Sequence, residues 1–219
     1  MENDNNSALR ITSLHSFHEV EHMLRNVRLM GDTHIKPYED AIIEPKHAAI
    51  TTLQPIALYV LAEQLTVQKK LSPLFQDFSL NIFDLRSSIR YDFAGQSFTM
   101  TPPIVETYYD VEQKKEVSIV LDGLHRIWLA RLLGLKSIGV IQIRHIKKEC
   151  SLVALPVSWR EVKEYAQVPT VKRKYRYPTL EAFPDISSFS DVPVHQGNYL
   201  YFFYRDLGIL GSSGIRNVH

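Results

Sequence analysis

Asp122-Gly123-Leu124-His125-Arg126 places a carboxylate, a glycine, an imidazole and a guanidinium almost side by side. The apolar run Val117 to Leu121 precedes it, and Ile127-Trp128-Leu129-Ala130-Arg131-Leu132-Leu133-Gly134 follows. That order predicts a buried strand, a tight glycine turn and a helix whose first turn carries His125 and Arg126. A helix start leaves backbone N–H groups unpaired and carries partial positive charge, so it attracts anions. Gly123 lets a ligand approach the backbone closely, and Arg126 can grip phosphate oxygens with its planar fork. Arg126 is a clamp rather than a base, because it does not deprotonate. His125 can neutralise a phosphate or shuttle a proton. Asp122 can cap the helix, hold a metal-bridged phosphate or a hydroxyl, or accept a proton. The stretch points to a phosphate-bearing ligand. The bland reading is a structural strand-to-helix turn with a cap and an exposed arginine.

Other residue groups offer chemistry and also have plainer readings. Glu106 and Asp110 share one face of a predicted strand with Tyr108, and Glu116 lies nearby. A carboxylate there, Glu106 in particular, can act as general base for a hydroxyl or hold magnesium; surface strands also carry such charges for solubility. His15, His18 and His22 fall at spacings that can share a helix face and hold a metal, but no supporting carboxylate pattern accompanies them, and a solvated face is the simpler reading. No metal site is therefore assigned. Lys172-Arg173-Lys174-Tyr175-Arg176-Tyr177 interleaves cations and aromatics, which suits phosphate contacts and base stacking, a solvated strand or loop, or closure over a nucleotide. Cys150 reads as a small inert side chain.

The Asp122–Arg126 segment, set between an apolar strand and a helix ending in Leu132-Leu133-Gly134-Leu135, resembles the signature of the ParB/sulfiredoxin superfamily. Thr101-Pro102-Pro103-Ile104-Val105 resembles the Pro-Pro-Ile-Val element that opens the preceding strand, and Leu85-Arg86-Ser87-Ser88-Ile89 resembles the helix before it. The ordered match runs from about Ile82 to Ile146. The resemblance implies that Asp122, Gly123, Leu124, His125 and Arg126 line a nucleotide phosphate or phosphoryl site. Superfamily members include sulfiredoxins, CTP-binding chromosome partition proteins, nuclease-type relatives and a free-serine kinase. Sulfiredoxin chemistry needs a cysteine immediately before the His-Arg pair, where this chain has Leu124. Partition proteins carry a Gly-Glu-Arg-Arg-type box and a following helix-turn-helix, and neither appears here. The Asp-Gly-x-His form is closer to the branch of the serine kinase. The implied function is a nucleotide-dependent phosphotransferase or hydrolase with catalytic residues Asp122, His125 and Glu106. Its ligands would be ATP, ADP or CTP, with Mg2+. The alternative is a non-catalytic nucleotide- or nucleic-acid-binding regulatory module, with Lys172, Arg173, Lys174 and Arg176 as the weaker nucleic-acid contacts. The absence of a Gly-Lys-Ser/Thr box rules against a P-loop mechanism.

The surrounding elements must hold that turn. The expected fold is α+β: an N-terminal helix and linker over 1–44, a ParB/sulfiredoxin-like domain over 45–150, and a C-terminal extension over 151–219 that packs on the core. Ser16-Phe17-His18-Glu19 has the form of a capping box, with Phe17, Val20, Leu24, Val27 and Met30 following helical spacing to Gly31. Residues 32–47 read as a connecting loop, Ala48 to Leu61 as a strand leading into a short helix, and Leu71 to Ser79 as loop. Asn81 and Asp84 read as caps of a helix through Ile89. Ile104 to Val111 and Val117 to Leu121 form a predicted hairpin, and Ile138 to Ile146 is β-forming. Ser158-Trp159-Arg160-Glu161 is a second capping box, expected to open a helix to about Ala166. Tyr199 to Tyr204 is aromatic enough to pack on the core or a partner, and Gly208, Gly211 and Gly214 mark a flexible end.

Over 219 residues, 45% hydrophobic and 22% charged side chains are ordinary for a soluble globular protein that buries a sizeable core. A net charge of +1 gives no global attraction to nucleic acid or membrane. The start of the chain lacks the form of a signal peptide, and no apolar run reaches about 18 residues. The lone cysteine excludes an internal disulfide and fits a reducing cytosol. A cytoplasmic protein with a nucleotide or other phosphate-bearing ligand, no membrane partner and a homodimeric option is expected.

Overall fold

The computed structural model describes residues 8–31, 33–110, 114–146, 150, 154–175 and 204–211. Arg176, residues 199–203 and Gly214 lie outside them, so the expectations for those positions do not meet the structure. The fold is α+β. In chain order the elements are β1 (Arg10–Leu14), α1 (Phe17–Arg25), β2 (Ile42–Ala49), β3 (Leu53–Pro55), β4 (Tyr59–Leu61), α2 (Ala62–Gln76), β5 (Ile89–Phe93), β6 (Gln96–Met100), β7 (Ile104–Asp110), β8 (Lys115–Val120), α3 (Leu124–Leu132), β9 (Ser137–Arg144) and β10 (Lys163–Tyr165). A 3-10 turn follows at Leu207–Leu210.

Five strands form the central sheet in the order β2-β9-β7-β8-β3. β7 lies between antiparallel β8 and parallel β9, so its backbone is paired on both sides. The β7–β8 hairpin is the one read from the β-branched and aromatic run. Successive strand residues face opposite sides, and each side is covered. Val105, Val120, Ile138 and Val140 join a core with Leu65, Leu71 and Phe75 of α2 and Ile127, Leu129 and Ala130 of α3. Ile104, Ile141 and Ile143 join a second core with Val20 and Leu24 of α1, Tyr38 and Leu210. The three-stranded sheet β1-β5-β6 closes the first core at one side.

Local signals explain several boundaries. The Ser16 backbone N–H donates to Glu19 Oε2 (2.6 Å) while Glu19 N–H donates to Ser16 Oγ (3.2 Å), the reciprocal capping box that starts α1. This helix stops at Arg25 rather than near Met30, because the Asn26 side chain bonds back to the His22 carbonyl (2.9 Å). Val27 and Leu29 remain buried in the chain that follows. After α3, Gly134 adopts a left-handed conformation (φ 73°), and Leu135 N–H reaches the Ala130 carbonyl (3.0 Å).

Four expectations are corrected. Residues 42–47 belong to β2, a sheet-edge strand whose Pro45 and charges mimic a loop. Residues 71–76 belong to α2, whose buried Leu65, Leu71 and Phe75 hold the helix together past Pro73. No helix forms over 81–89: Asn81 Oδ1 accepts from Phe83 N–H (2.9 Å), and Gly139 N–H bonds to the Phe83 carbonyl (2.8 Å), so the chain bends along β9 into β5. The second capping box closes only by half, Ser158 Oγ accepting from Arg160 N–H (3.0 Å) and not from Glu161 N–H, and no helix follows. Ser158 N–H donates to Glu161 Oε2 (2.9 Å), yet β10 then pairs parallel with β4 and takes the chain into extended backbone.

On the α1 side of the sheet, Glu106 is 2% exposed and is forked by Arg205 through Nε–Oε1 (2.7 Å) and Nη2–Oε2 (3.2 Å). The Tyr38 hydroxyl also donates to Glu106, and Arg205 donates to the Cys150 carbonyl. Breaking a buried ion pair leaves one charge without its partner. Arg205→Ala should therefore lower unfolding stability by about 3–5 kcal/mol, whereas the paired change Glu106→Leu with Arg205→Met should recover most of it. Urea denaturation of both variants checks this.

Candidate functional site

The Asp122–Arg126 turn forms where β8 leaves the sheet. Asp122 and Ile104 exchange backbone hydrogen bonds, Asp122 N–H to Ile104 O (3.4 Å) and Ile104 N–H to Asp122 O (3.3 Å), which fixes the last residue before the turn. Gly123 is the N-cap of α3 in a left-handed conformation, φ 80°. A Cβ there would sit 2.8 Å from Pro103 atoms, so glycine is needed for both conformation and space. The Gly123 carbonyl accepts from Arg126 N–H (3.0 Å) and Ile127 N–H (3.1 Å). Having no side chain, Gly123 leaves the first amides of α3 without a side-chain cap.

His125 and Arg126 are successive helix residues and point to different neighbours. His125 Nε2 accepts from Leu61 N–H (2.9 Å), tying α3 to the residue that precedes α2. An accepting Nε2 is an unprotonated one, so any proton on the ring sits on Nδ1. Burial lowers the His125 pKa, with Asp122 pulling the other way. Arg126 turns toward the β6–β7 connection, where Nη1 donates to the Thr101 carbonyl (3.0 Å). It is 6% exposed, and its buried Nε has no hydrogen-bond partner. Burial pushes its guanidinium down to about 10, against the opposing pull of Asp122 and Tyr91, so it stays charged at neutral pH. Burial also pushes Tyr91 up to about 12, with Arg126 opposing. Asp122 is half-buried. Arg126 is thus a buried cation and not the exposed arginine of the bland reading, and its contact with Thr101, its proximity to Tyr91 and the His125 bond to Leu61 were not foreseen. The Thr101-Pro102-Pro103 motif was the available signal for the first of them.

Glu106 is not brought to this turn. It alternates with Val105 and faces the α1 side, locked by Arg205 and Tyr38, while α3 covers the other side. Asp110 is buried on β7 and Glu116 is exposed on β8. His18 and His22 lie on α1, whereas His15 precedes its N-cap; His15 and His18 face Glu19 and Glu21. Among the described residues, no group of three or more His, Cys, Asp and Glu could hold a metal ion.

The basic segment is fixed by its backbone. Leu58 N–H bonds to the Lys172 carbonyl (2.9 Å) and Leu155 N–H to the Lys174 carbonyl (2.9 Å). Arg173 stacks 4.7 Å from the Tyr204 ring centroid, and Lys174 pairs with Glu161. Two of the three described cations there are therefore engaged within the chain.

A family model described as the ParB CE domain matches residues 19–163. The chain belongs to the ParB CE domain family. The matched span contains the β7–β8 hairpin, the Asp122–Arg126 turn and α3 of this ParB-like domain. No curated protein and no solved structure matches the chain. Among the described residues, no helix is long and apolar enough to cross a membrane.

The partly buried His125, neutral at its accepting Nε2, gives a pH test. Its folded pKa lies below the ordinary 6.5, so the unfolded chain takes up the proton first as pH falls. Its contribution to stability is complete above about pH 6.5 and declines as pH falls from there through the lowered folded value. Melting temperature should therefore drop more steeply below that point in the wild type than in His125→Gln. Parallel thermal melts from pH 5 to 8 measure the difference, and identical slopes would count against a buried neutral imidazole.

Proposed function

We propose that this ParB-like domain binds a phosphate-bearing nucleotide, with its phosphate at the start of α3 against Arg126. The observation that carries the reading is the Arg126 guanidinium: buried, charged, and left with an unpartnered Nε beside an uncapped helix start. A buried cation without an anion is costly, and a phosphate oxygen supplies both the charge and the acceptor. Gly123 supplies the left-handed turn that starts α3 and lets Pro103 pack against it. His125 positions the turn through Leu61 N–H and can offer Nδ1–H as a donor. Asp122 fits magnesium only as one ligand among phosphate oxygens and waters, the usual environment of that ion. ATP, ADP and CTP are the candidate nucleotides.

A second reading adds turnover, as a phosphotransferase or hydrolase. Asp122 favours it, because its half-buried carboxylate has no hydrogen bond among the described residues and can accept a proton from a hydroxyl or water. With Glu106 held on the far side of the sheet, Asp122 is the carboxylate that such chemistry would use. Nucleic-acid binding through Lys172, Arg173 and Lys174 has less support, given the internal contacts of Arg173 and Lys174.

Thermal shift and calorimetry with ATP, ADP and CTP, with and without magnesium, test the binding, since a ligand of the folded state raises the melting temperature. Arg126→Ala should weaken the nucleotide by about 1.5–3 kcal/mol, the range for a hydrogen bond to a charged group. Asp122→Asn should leave affinity without magnesium nearly unchanged and should abolish any phosphate release or transfer. No nucleotide-induced shift under any condition would end the binding reading. Tight binding without phosphate release in the wild type would end the enzymatic one.

A further inference from the structure

Arg126 does not stand alone where its side chain ends. Its Nη1 donates to the Thr101 carbonyl (3.0 Å), and the Thr101 hydroxyl is bonded to that of Ser88 (2.9 Å), both residues being almost fully buried. Ser88 precedes the first residue of β5 and Thr101 follows the last of β6, where Ile89 pairs with Met100. These bonds therefore bring the guanidinium to the end of the β5–β6 pair. Tyr91 stands two residues along β5 from Ile89 and shares its face. That face packs in the core that also holds Ile127, Leu129 and Ala130 of α3. The Tyr91 ring is fixed there, stacked on Phe98 at 5.5 Å between centroids and edge-to-face with Phe75 at 5.1 Å.

Although the ring is locked, the Tyr91 hydroxyl makes no hydrogen bond among the described residues, and it lies near enough to Arg126 for the two groups to interact electrostatically. A buried hydroxyl without a partner costs free energy, and phenylalanine would fill the same space without that cost. Two groups at one place thus have unmet capacity, Arg126 Nε–H and Tyr91 O–H, and both can donate. Neighbouring donors without acceptors match a ligand that brings several acceptor oxygens. We propose that Tyr91 is a second binding residue of the α3 site, donating its hydroxyl proton to the phosphate that Arg126 holds. The inference rests on the nucleotide reading above and names a contact that reading lacks. Burial pushes the phenol up to about 12, so the hydroxyl keeps its proton and stays a donor at neutral pH. The pair supplies one positive charge and one neutral donor, so Tyr91 orients the phosphate through a hydrogen bond while Arg126 supplies the charge.

Calorimetry on the full chain with ATP, ADP, CTP and the phosphate-free nucleosides adenosine and cytidine tests it, for wild type, Tyr91→Phe, Arg126→Ala and the double variant. Tyr91→Phe keeps the ring contacts and leaves no partner unbonded, so its melting temperature without ligand should match that of the wild type. Its nucleotide affinity should fall about five- to tenfold, the effect of losing one ordinary hydrogen bond, with nucleoside affinity unchanged. Because both donors hold one phosphate, Tyr91→Phe should have a smaller effect in the Arg126→Ala background than alone. If Arg126→Ala does not fold, Arg126→Lys takes its place. Nucleotide binding that Arg126→Ala weakens and Tyr91→Phe leaves intact overturns this inference alone. An equal loss for nucleotides and nucleosides gives Tyr91 a packing role and also overturns it. Wild type that binds no nucleotide, or binding that neither variant weakens, removes the underlying nucleotide reading as well.

Discussion

β7 has to be buried on both faces and paired on both edges, and this constraint organises the rest of the molecule. Between β8 and β9, the stretch Ile104 to Thr107 has no solvent face and needs partners on both sides of the sheet, whereas Tyr109 further along reaches solvent. Val105 meets α2 and α3; Ile104 meets α1. At its N-terminal end, Pro103 lies against Gly123, and Ile104 exchanges hydrogen bonds with Asp122. The strand that fills the centre of the sheet therefore also sets the position of the turn that starts α3.

Two buried arginines beside this strand meet opposite fates. Arg205 loses hydration, but Glu106 more than compensates and raises its pKa above the ordinary value, with Tyr38 assisting. A carboxylate, a phenol and a carbonyl surround it, and the resulting network clasps residues 204–211 to the α1 side of the sheet. Arg126 has a single carbonyl acceptor and no carboxylate contact, so burial lowers its pKa instead. One arginine is a structural clasp. The other has unmet hydrogen-bonding capacity beside a helix start without a side-chain cap. That contrast is why the proposed ligand site is placed at Arg126 and not at Glu106.

Legibility followed local physics. The capping box of α1, the β7–β8 hairpin, and the strand, glycine turn and helix around Gly123 were all readable, because each depends on residues a few positions apart. The edge strand β2 was not, since Pro45 and alternating charges are how sheet edges avoid mispairing and look like loop in sequence. Ser158 and Glu161 formed one of their two capping bonds, but pairing of β10 with β4 overrode the helix they suggested, a tertiary contact reaching across roughly a hundred residues. Within the candidate site, residue identities were legible and side-chain directions were not. Glu106 looked like an available base because its partner, Arg205, lies 99 residues further along the chain.

The direction of His125 bears on how the turn can work. Its Nε2 is committed to Leu61 N–H, so α3 and the start of α2 are joined through an imidazole that must stay neutral at that atom. Protonation there would replace an acceptor with a donor facing another donor, and the contact would be lost. A His125 serving as proton shuttle through Nε2 would break the tie that positions Arg126's helix at each cycle. On the proposed reading the roles separate: His125 holds the frame, Arg126 supplies the charge, and Asp122, free of hydrogen bonds among the described residues, is the group left to respond to a ligand. An anion bound there as proposed would meet a fixed cation and a fixed backbone, which is the preorganisation that favours tight binding of a compact charged group.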